Sequence, residues 1–590
     1  MTVRRFMLGF LFALLLVAGS GGAALAQWQV PDHSVPIGRG SGTGFKFAAP
    51  GTAGTALISN GAGADPSFQA LTNIFGPQSA NTVLSGPTSG VAAAPSFRAL
   101  VSADLPATVQ PKNLGSIRFT SQYGGADWCA NLTSALADIG TAPGTIYIDG
   151  DNQNITACSG GPSNIDLGNK KSVRFLSGEV FTLNRTIRLG IGTSVTGTSN
   201  GPTGGAGTNV VGTTLKWTGA TSGDVLLMFG SFKSSISNIN VDCNAVSDCA
   251  GIHYDSNNNP PSSYNDMINF TVTRAHYGIL VGQRGTSHPT PVQCNTTPSQ
   301  PGCYEMDFLT VRNFLIFGTC ADTTAVGIYV NSYFALQQST IDTGNIQCAN
   351  IGIRNVSSAG ANTIIKNVVG GSVVGASPTL FQTDAGGAQG YNLWNNESEG
   401  GWTYAVHDSG CSGSGTNTQS WISNGWNDAV LVDGCQTITD IASGSGGITK
   451  TVGGTAVVYT LGANTTGWTP SGSGIVYNQQ MTWTPTMSCG TGSGTWTGQT
   501  GKYTRYPGYT SYTVSATLSA VGTCATNVQF SLPFTAGVAT GTGYGRETAI
   551  NGKSLAVTSS TSTITVFNYD NTFNGGNGAT YQVSGTFASP

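Results

Sequence analysis

A short sequence unit recurs through the middle of the chain, between about Ser231 and Ser357. It consists of a β-rich run, a polar turn, the dipeptide Gly-Ile and a second β-rich run. By subtraction of the residue numbers, the dipeptides at Gly251, Gly278, Gly327 and Gly352 are 27, 49 and 25 residues apart. A repeat of this length without a helix is typical of a solenoid, because one turn alone buries too little apolar surface. The long middle step predicts two turns.

Apolar and polar residues alternate within the β-rich runs, as in Ile236, Ile239 and Val241. Such alternation points one side of each strand toward a core. The bends between runs are rich in Asn, Gly, Asp and Ser, which tolerate tight backbone geometry. The sequence therefore predicts an all-β chain built on a right-handed single-stranded parallel β-helix. The alternative is a β-sandwich in which the spacing of the repeat is a coincidence.

Composition supports a β-rich protein with many turns. The chain has 84 glycines in 590 residues, only 9 % charged residues and 39 % hydrophobic residues. The hydrophobic share is too high for a solvated disordered chain. The formal net charge is -3 and there is no basic run. Nucleic acid is therefore excluded as a partner, since binding it requires clustered Lys and Arg.

The N-terminus has the three parts of a secretory signal. Arg4 and Arg5 precede an apolar run over residues 6–17, and Ala24-Leu25-Ala26 is a small-x-small cleavage site. We therefore predict a signal peptide over 1–26 and no membrane span after its cleavage. The mature protein is expected to be secreted, periplasmic or at the cell surface.

The twelve cysteines agree with export, because an even count in an oxidising compartment favours disulfides. A metal site is not predicted, since CxxC-type spacing with His is absent. Proximity in sequence predicts six pairs: Cys129 with Cys158, Cys243 with Cys249, Cys294 with Cys303, Cys320 with Cys348, Cys411 with Cys435, and Cys489 with Cys524.

A second repeat lies between the signal and the solenoid. The word PSFQAL at 66–71 returns as PSFRAL at 95–100. One Phe and one Leu per repeat cannot form a core alone, so we predict a Gly-rich linker or a stalk over 27–113. The run PSFRALVSADLP at 95–106 closely resembles a repeat of bacteriophage and prophage tail-fibre proteins. That resemblance implies a fibrous stalk that gains its core in a homotrimer.

One helix is predicted, over 127–140, where Leu132, Leu136 and Ile139 follow helical spacing. Short strands follow it at once. A short amphipathic helix that leads into a coil resembles the N-terminal cap of pectate-lyase-like β-helix proteins. The resemblance implies that the helix covers the open end of the coil, which we predict over 114–450.

The C-terminal segment has strands that alternate between turn signals, the pattern of a β-sandwich. We predict a linker over 451–475 and a sandwich over 476–590. The words SLPFTA at 531–536 and GRETAINGK at 545–553 resemble the C-terminal domains of phage tail fibres. Phage tail proteins assemble without a signal peptide, so a bacterial exported protein built from tailspike-like modules fits the sequence better than a virion protein.

The richest stretch for chemistry runs from Tyr391 to Asp428. Glu397 and Glu399 are two residues apart, so on a strand they share a face. We predict them as a catalytic carboxylate pair for glycoside hydrolysis. Aromatic residues nearby are predicted to bind the sugar: Trp394, Trp402, Tyr404, Trp421 and Trp426. The alternative for each Trp is that it fills the coil interior.

Other chemistries stay open from the sequence. Acidic residues on neighbouring turns can meet by stacking, and the candidates are Asp242, Asp266 and Asp342. A uronate lyase would need a basic residue, for which the candidates are Arg312, Arg354 and Lys366, often with Ca²⁺; no other cofactor is expected. The leading hypothesis is a β-helix protein that binds polysaccharide and depolymerises it. The alternative is a non-enzymatic tailspike-like fibre or adhesin with a receptor-binding C-terminal domain.

Overall fold

The chain divides into two compact units, residues 1–113 and 114–590. The computed structural model describes residues 32–38, 45–70, 77–87, 91, 93–101, 116–150, 153–160, 164–201, 211–219, 222–256, 262–282, 284, 306–331, 336–356, 363–384, 391–409, 418–444, 448–462, 467–538, 541–570, 572–573 and 575–590. The predicted signal peptide lies outside these ranges. Within them, no helix has the length and the hydropathy that crossing a bilayer requires.

Over its described residues, the first unit forms three two-stranded antiparallel hairpins. Their strands are β1 (Val35–Ile37), β2 (Lys46–Ala48), β3 (Thr55–Ile58), β4 (Ser67–Ala70), β5 (Thr82–Ser85) and β6 (Ser96–Ala99). The two copies of the N-terminal repeat form equivalent hairpins, because Leu57 pairs with Phe68 as Leu84 pairs with Phe97. Leu57 and Leu84 are 39 % and 49 % exposed, so each hairpin leaves its leucine at the surface.

The predicted helix is present as α1, Trp128–Ile139, after a 3-10 turn at Thr120–Gln122. Asp127 caps it by accepting a hydrogen bond from the Ala130 backbone N–H at 3.0 Å. The helix buries one face in the core of the coil, and the indole of Trp128 donates to the carbonyl of Thr182. The apolar spacing and the cap together explain why this segment is helical.

Parallel strands continue from β7 to β37. They are β7 (Ile117–Phe119), β8 (Gly144–Ile148), β9 (Ile165–Asp166), β10 (Lys171–Phe175), β11 (Val180–Leu183), β12 (Ile187–Leu189), β13 (Ser194–Thr196), β14 (Thr214–Trp217), β15 (Gly223–Phe229), β16 (Ser235–Asp242), β17 (Cys249–Asp255), β18 (Ser262–Ser263), β19 (Asp266–Ala275), β20 (Tyr277–Gly282), β21 (Met306–Asp307), β22 (Thr310–Gly318), β23 (Val326–Asn331), β24 (Thr340–Gln347), β25 (Ile351–Asn355), β26 (Ile364–Gly370), β27 (Thr379–Thr383), β28 (Asn392–Trp394), β29 (Glu397–Ser398), β30 (Tyr404–Asp408), β31 (Thr418–Ile422), β32 (Ala429–Val432), β33 (Thr437–Ile441), β34 (Lys450–Val452), β35 (Val457–Leu461), β36 (Trp468–Pro470) and β37 (Ile475–Tyr477).

These strands form two long parallel sheets and one short one. The first coil sheet contains β7, β8, β10, β11, β13, β14, β16, β19, β22, β24, β26, β28, β29, β31, β33, β35 and β37. The second coil sheet contains β9, β12, β15, β17, β20, β23, β25, β27, β30, β32, β34 and β36, and β18 pairs with β21. This arrangement confirms the predicted parallel β-helix. The coil extends to Tyr477, so strands also occupy the stretch predicted as a linker.

The Gly-Ile repeat forms a buried column in the second coil sheet. Ile252, Ile279, Ile328 and Ile353 are register partners on consecutive strands. A Cβ on Gly278 would lie 2.5 Å from the Gly327 carbonyl oxygen, so the close stacking of the strands requires glycine there. Because β20 pairs directly with β23, the 49-residue step is one turn with an insertion, and the prediction of two turns is wrong.

The first coil sheet bends at one position on each turn. Strands β16, β19, β22 and β26 each have a left-handed Asn there, with φ between 53° and 55°, at Asn238, Asn269, Asn313 and Asn367. Asn269 donates to the Asn238 side chain at 3.1 Å, and Asn313 donates to Asn269 at 3.0 Å. The bend gives the coil a further face, and the amide ladder holds the turns in register.

The C-terminal segment forms one antiparallel sheet in the order β38-β40-β41-β46-β43-β44-β45-β42-β39. Its strands are β38 (Gln480–Trp483), β39 (Met487–Thr491), β40 (Thr495–Tyr506), β41 (Tyr509–Ala520), β42 (Ala525–Ser531), β43 (Gly541–Glu547), β44 (Ser554–Ser559), β45 (Thr563–Asn568) and β46 (Ala579–Ala588). The sheet has its own hydrophobic core, which includes Val514, Phe530 and Tyr581. Since all nine strands pair in one order, two separate sheets of a sandwich are not confirmed.

Four of the predicted disulfides are present: Cys129–Cys158, Cys243–Cys249, Cys320–Cys348 and Cys489–Cys524. Cys435 is disulfide-bonded, and its predicted partner Cys411 lies outside the described residues. Cys294 and Cys303 also lie outside them. Three of the four bonds join residues of the coil or its helix, where they tie together segments up to 29 residues apart.

Candidate functional site

Glu397 and Glu399 lie on the outside of the coil. Both side chains are exposed, while Ser398 between them is fully buried. The alternation of the short strand β29 therefore places both carboxylates on one face, as the spacing predicts. Glu397 pairs in register with Val369 of β26 and bridges to Gly425 on the next turn. Their catalytic role stays a prediction.

Trp394 is half-buried on a different face from the two carboxylates. Asn395, with φ of 51°, bends the chain between Trp394 and Glu397. The outward neighbours of Trp394 are Lys366 on the preceding turn and Ile422 on the following one. The structure thus separates Trp394 from the predicted carboxylate pair, because the bend turns the chain from one face to the next.

Three of the predicted sugar-binding residues are core residues. Trp402 is 4 % exposed, and Trp421 and Trp426 are each 1 % exposed. Trp402 donates to the Gly370 carbonyl at 3.2 Å, and the Trp421 ring lies 6.0 Å from that of Trp468. This is a correction to their predicted role: their rings fill the interior of the coil, which leaves no ring face for a sugar on the described surface.

Tyr404 lies on the second coil sheet, half-buried, with its ring 5.1 Å from that of His407. The Trp-rich stretch is therefore distributed over the interior and several outer faces of the coil. Sequence proximity fails as a guide here because a coil turn of about 25 residues visits every face once.

The predicted stacking of acidic residues is not observed. Asp266 shares its column with Thr310 and Thr340, whereas Asp342 lies between Arg312 and Lys366. Lys366 is 3.3 Å from the Asp342 carboxylate. The basic residues considered for a lyase thus have acidic neighbours that the sequence did not reveal, since they lie one turn away.

The most distinctive outer surface is a strip of turn residues that precedes the first coil sheet. We call it the turn strip and define it as one residue pair from each of four stacked turns: Phe232–Lys233, Ser263–Tyr264, Asp307–Phe308 and Gln337–Gln338. Bridges between residues 232 and 263, 263 and 307, and 307 and 337 stack these turns. At about 4.8 Å per turn, the strip extends over roughly 15 Å along the coil.

Aromatic rings form a wall along the turn strip. The rings of Tyr264 and Phe308 are stacked, with centroids 4.4 Å apart and planes at 7°. Phe232 meets Tyr264 edge-on at 5.5 Å. Tyr264 is 49 % exposed although it belongs to this stack. An aromatic array at the surface is informative because large apolar side chains are usually buried.

The backbone of the turn strip has a left-handed residue on each turn. The φ angles are 53° at Lys233, 55° at Tyr264, 49° at Phe308 and 48° at Gln338. Positive φ is a genuine outlier for bulky residues and costs on the order of 1–3 kcal/mol. The repeated left-handed conformation directs these side chains outward instead of into the core.

A cleft of about 300 Å³ lies beside the aromatic wall. It is lined by Tyr264, Asp266, Phe308, Leu309, Thr310, Gln338 and Thr340. The Asp307 carboxylate, on the turn strip, accepts a hydrogen bond from the Ser263 hydroxyl. The cleft therefore combines aromatic edges with carboxylate, hydroxyl and amide groups, a combination that suits a polyhydroxylated ligand. No sequence motif marks the residues of the turn strip. The signal that could have indicated them is an apolar residue within an otherwise polar turn.

A cluster of charged residues lies on the outer side of the second coil sheet. His253 Nδ1 is 2.9 Å from Asp224, its Nε2 is 2.7 Å from the Gly282 carbonyl oxygen, and Asp255 is 4.0 Å away. Arg284 forms ion pairs with Asp224 and with Asp248.

Burial and charge shift the pKa values of this cluster. Burial alone would lower the pKa of His253, but the hydrogen bond to Asp224 and the neighbouring carboxylates raise it above its ordinary value. Burial would raise the pKa of Asp224, but His253 and Arg284 lower it. Burial raises the pKa of Asp255. The cluster therefore has two carboxylates whose pKa values are shifted in opposite directions.

The described ranges contain no group of three or more His, Cys, Asp or Glu side chains placed to hold a metal ion.

Comparison with protein families finds no match, and comparison with curated proteins finds none. Among solved structures, the chain is similar to the Dettilon tailspike protein, with 11 % identity and a TM-score of 0.39 over 82 % of this chain and 97 % of that one. It is also similar to a tailspike mutant of E. coli bacteriophage HK620 in complex with a pentasaccharide, with 9 % identity and a TM-score of 0.43 over 81 % and 94 %. For a complex of that tailspike with a hexasaccharide, the identity is 9 % and the TM-score is 0.40, over 79 % of this chain and 90 % of that one. The resemblance to pectate-lyase-like proteins is not confirmed by these comparisons. The two long sheets of stacked parallel strands make the fold of the chain a parallel β-helix.

Proposed function

We propose that this protein binds a polysaccharide along the outside of its coil, with the turn strip as the contact surface. The observation that carries the proposal is the stacked pair of exposed Tyr264 and half-buried Phe308 beside the polar cleft. Sugar rings present C–H groups that pack on aromatic rings and hydroxyls that bond to carboxylates and amides. The repeat of the strip over four turns suits an extended ligand. The four disulfides support an oxidising, extracellular location.

The binding surface is tested with a panel of bacterial and plant polysaccharides, by affinity electrophoresis of the purified mature protein. We expect retardation by at least one polysaccharide and its loss in a Tyr264→Ala/Phe308→Ala variant. Tyr569→Ala is the matched control, because Tyr569 is 86 % exposed and far from the coil in sequence. Equal retardation of the variant and the parent protein would contradict the assignment of the strip.

We also propose Glu397 and Glu399 as the carboxylates to examine for cleavage. The panel is incubated with the parent protein and with Glu397→Gln/Glu399→Gln, and both reducing ends and ultraviolet absorbance are recorded. New reducing ends without absorbance, lost in the variant, would support a glycoside hydrolase. Absorbance from unsaturated products would indicate a lyase and direct attention to Arg312, Arg354 and Lys366. Binding without products would favour the non-enzymatic adhesin, for which a homotrimer in sedimentation is the further expectation.

A further inference from the structure

The outer face of the C-terminal sheet is the second surface with a distinct chemistry. Register pairing across β38, β40, β41, β46 and β43 aligns three outward rows. The central row is Thr482, Lys502, Thr513, Ser584 and Tyr544. The flanking rows are Gln480, Thr504, Ser511, Thr586 and Thr542 on one side, and Thr500, Ser515, Gln582 and Arg546 on the other. Every one of these side chains carries a hydroxyl, an amide or a positive charge as its outermost group.

Two adjoining depressions of about 380 and 360 Å³ form one groove across these rows. Both are lined by Lys502, Thr513 and Ser584. On the opposite face of the sheet, glycine leaves room for core side chains: a Cβ on Gly585 would lie 2.6 Å from the Tyr512 hydroxyl, and a Cβ on Gly501 would lie 2.4 Å from the Trp483 ring. Tyr544 is 75 % exposed at the side of the groove.

The strands of this sheet carry only positive charge on their outer face. Residues 476–590 contain four basic side chains, Lys502, Arg505, Arg546 and Lys553, and two acidic ones, Glu547 and Asp570. Their formal charge is therefore +2, whereas the whole chain is at -3, which leaves -5 for residues 1–475. Glu547 is 1 % exposed and points to the opposite face of the sheet. Among the described strands of this sheet, the outer face carries no carboxylate.

We propose that this groove binds an acidic polysaccharide, one that carries carboxylate or sulfate groups. Lys502 and Arg546 supply the charge for the anionic groups, the Ser, Thr and Gln rows supply partners for the sugar hydroxyls, and Tyr544 supplies an apolar contact. Neither Lys502 nor Arg546 forms an ion pair with a described residue. Arg546 Nε donates to the Gly552 carbonyl oxygen at 3.2 Å, which leaves the other guanidinium nitrogens for a ligand. The inference goes beyond the proposed function, which concerns the coil.

The test measures binding of the full mature chain to polygalacturonate, dextran sulfate and neutral dextran by calorimetry. We expect binding to at least one of the two anionic polymers and none to dextran. Affinity should fall as NaCl rises from about 50 mM to about 500 mM, because salt screens exposed charges. Polygalacturonate and dextran sulfate distinguish carboxylate from sulfate as the recognised group.

Lys502→Gln/Arg546→Gln should weaken binding of the anionic polymer roughly tenfold, the loss of two exposed contacts. Lys170→Gln/Lys216→Gln, which removes two positive charges from the coil, should leave it unchanged. Tyr544→Ala should weaken binding without changing its salt dependence, and thermal unfolding of each variant controls for folding. No binding of either anionic polymer, equal binding of dextran, or an equal effect of both double variants would overturn the inference. Because Tyr264→Ala/Phe308→Ala leaves the groove intact, failure of the groove and failure of the turn strip are distinguishable.

Discussion

His253 Nδ1 lies 2.9 Å from a carboxylate oxygen of Asp224, although 29 residues separate them in sequence. The contact joins consecutive strands of the second coil sheet, and Arg284 holds the same carboxylate from the other side. Both side chains are largely buried, at 12 % and 17 % exposed. The cluster therefore connects the protonation state of one histidine to the stability of the coil.

The pair predicts a pH dependence of stability. The pKa of His253 is raised in the folded state, so its contribution is complete below the ordinary histidine pKa of 6.5 and is lost as pH rises through the folded value. We expect His253→Gln to lower the free energy of unfolding by about 1–2 kcal/mol at acidic pH and by less at alkaline pH. Chemical denaturation at pH 5.5, below the ordinary pKa of histidine, and at pH 8.5, above it, measures the difference. An effect of equal size at both values would show that folding does not raise the pKa of His253.

A buried ion pair near the C-terminal end of the coil gives a second prediction. Lys450 and Asp440 are fully buried, with Lys450 Nζ 3.5 Å from Asp440, and the Trp468 indole donates to the same carboxylate at 2.9 Å. Removing one charge leaves the other unpaired in the core. We expect Asp440→Ala to cost about 3–5 kcal/mol.

The double variant Asp440→Leu/Lys450→Met should be clearly more stable than Asp440→Ala, because it removes both charges together. Thermal unfolding of the three proteins gives the comparison. If the double variant were the least stable, packing of the two side chains and not their charge would account for the effect.

Glu547 gives a third prediction, in the C-terminal sheet. Its carboxylate accepts backbone hydrogen bonds from Ala549, Ile550, Asn551, Gly552 and Thr580. Burial alone would raise its pKa, but these N–H groups lower it to about 2. The carboxylate therefore stabilises the fold above its ordinary pKa of 4.5, and this contribution is lost as pH falls toward 2.

We expect Glu547→Gln to destabilise the sheet by about 2 kcal/mol at neutral pH, the scale of one charged hydrogen bond. The variant should lose less stability than the parent protein between pH 5 and pH 3, the range that spans the ordinary pKa. Calorimetric unfolding at each pH compares the stability of the parent protein and the variant. Asp570→Asn, at an exposed turn, serves as the control and should change stability little.

The sequence predicted the coil because its repeat is local and periodic. The Gly-Ile dipeptides become a register column, and the spacing of Leu132 and Ile139 becomes the buried face of α1. It could not show that β20 pairs directly with β23. One turn with an insertion and two turns without one give the same spacing between dipeptides, so the sequence cannot distinguish them.

The candidate site was predicted less well because a site on the surface of a coil is formed by residues stacked from neighbouring turns, which are far apart in sequence. Glu397 and Glu399 share a face because the chain alternates over residues 397–399, which is a local property. The assignment of Trp421 and Trp426 required knowing which side of their strands faces inward, and both orientations satisfy alternation. The turn strip joins residues from four turns, so no segment of sequence contains it.

The most direct test of the proposed function is hydroxyl-radical footprinting with a polysaccharide that the panel identifies. Oxidation of each exposed aromatic side chain is measured by mass spectrometry with and without the ligand. We predict protection of Tyr264, Phe308 and Phe232, with Trp394 and Tyr404 oxidised equally in both samples. Protection of Trp394 and Tyr404, with Tyr264 and Phe308 unchanged, would contradict the turn strip as the binding surface.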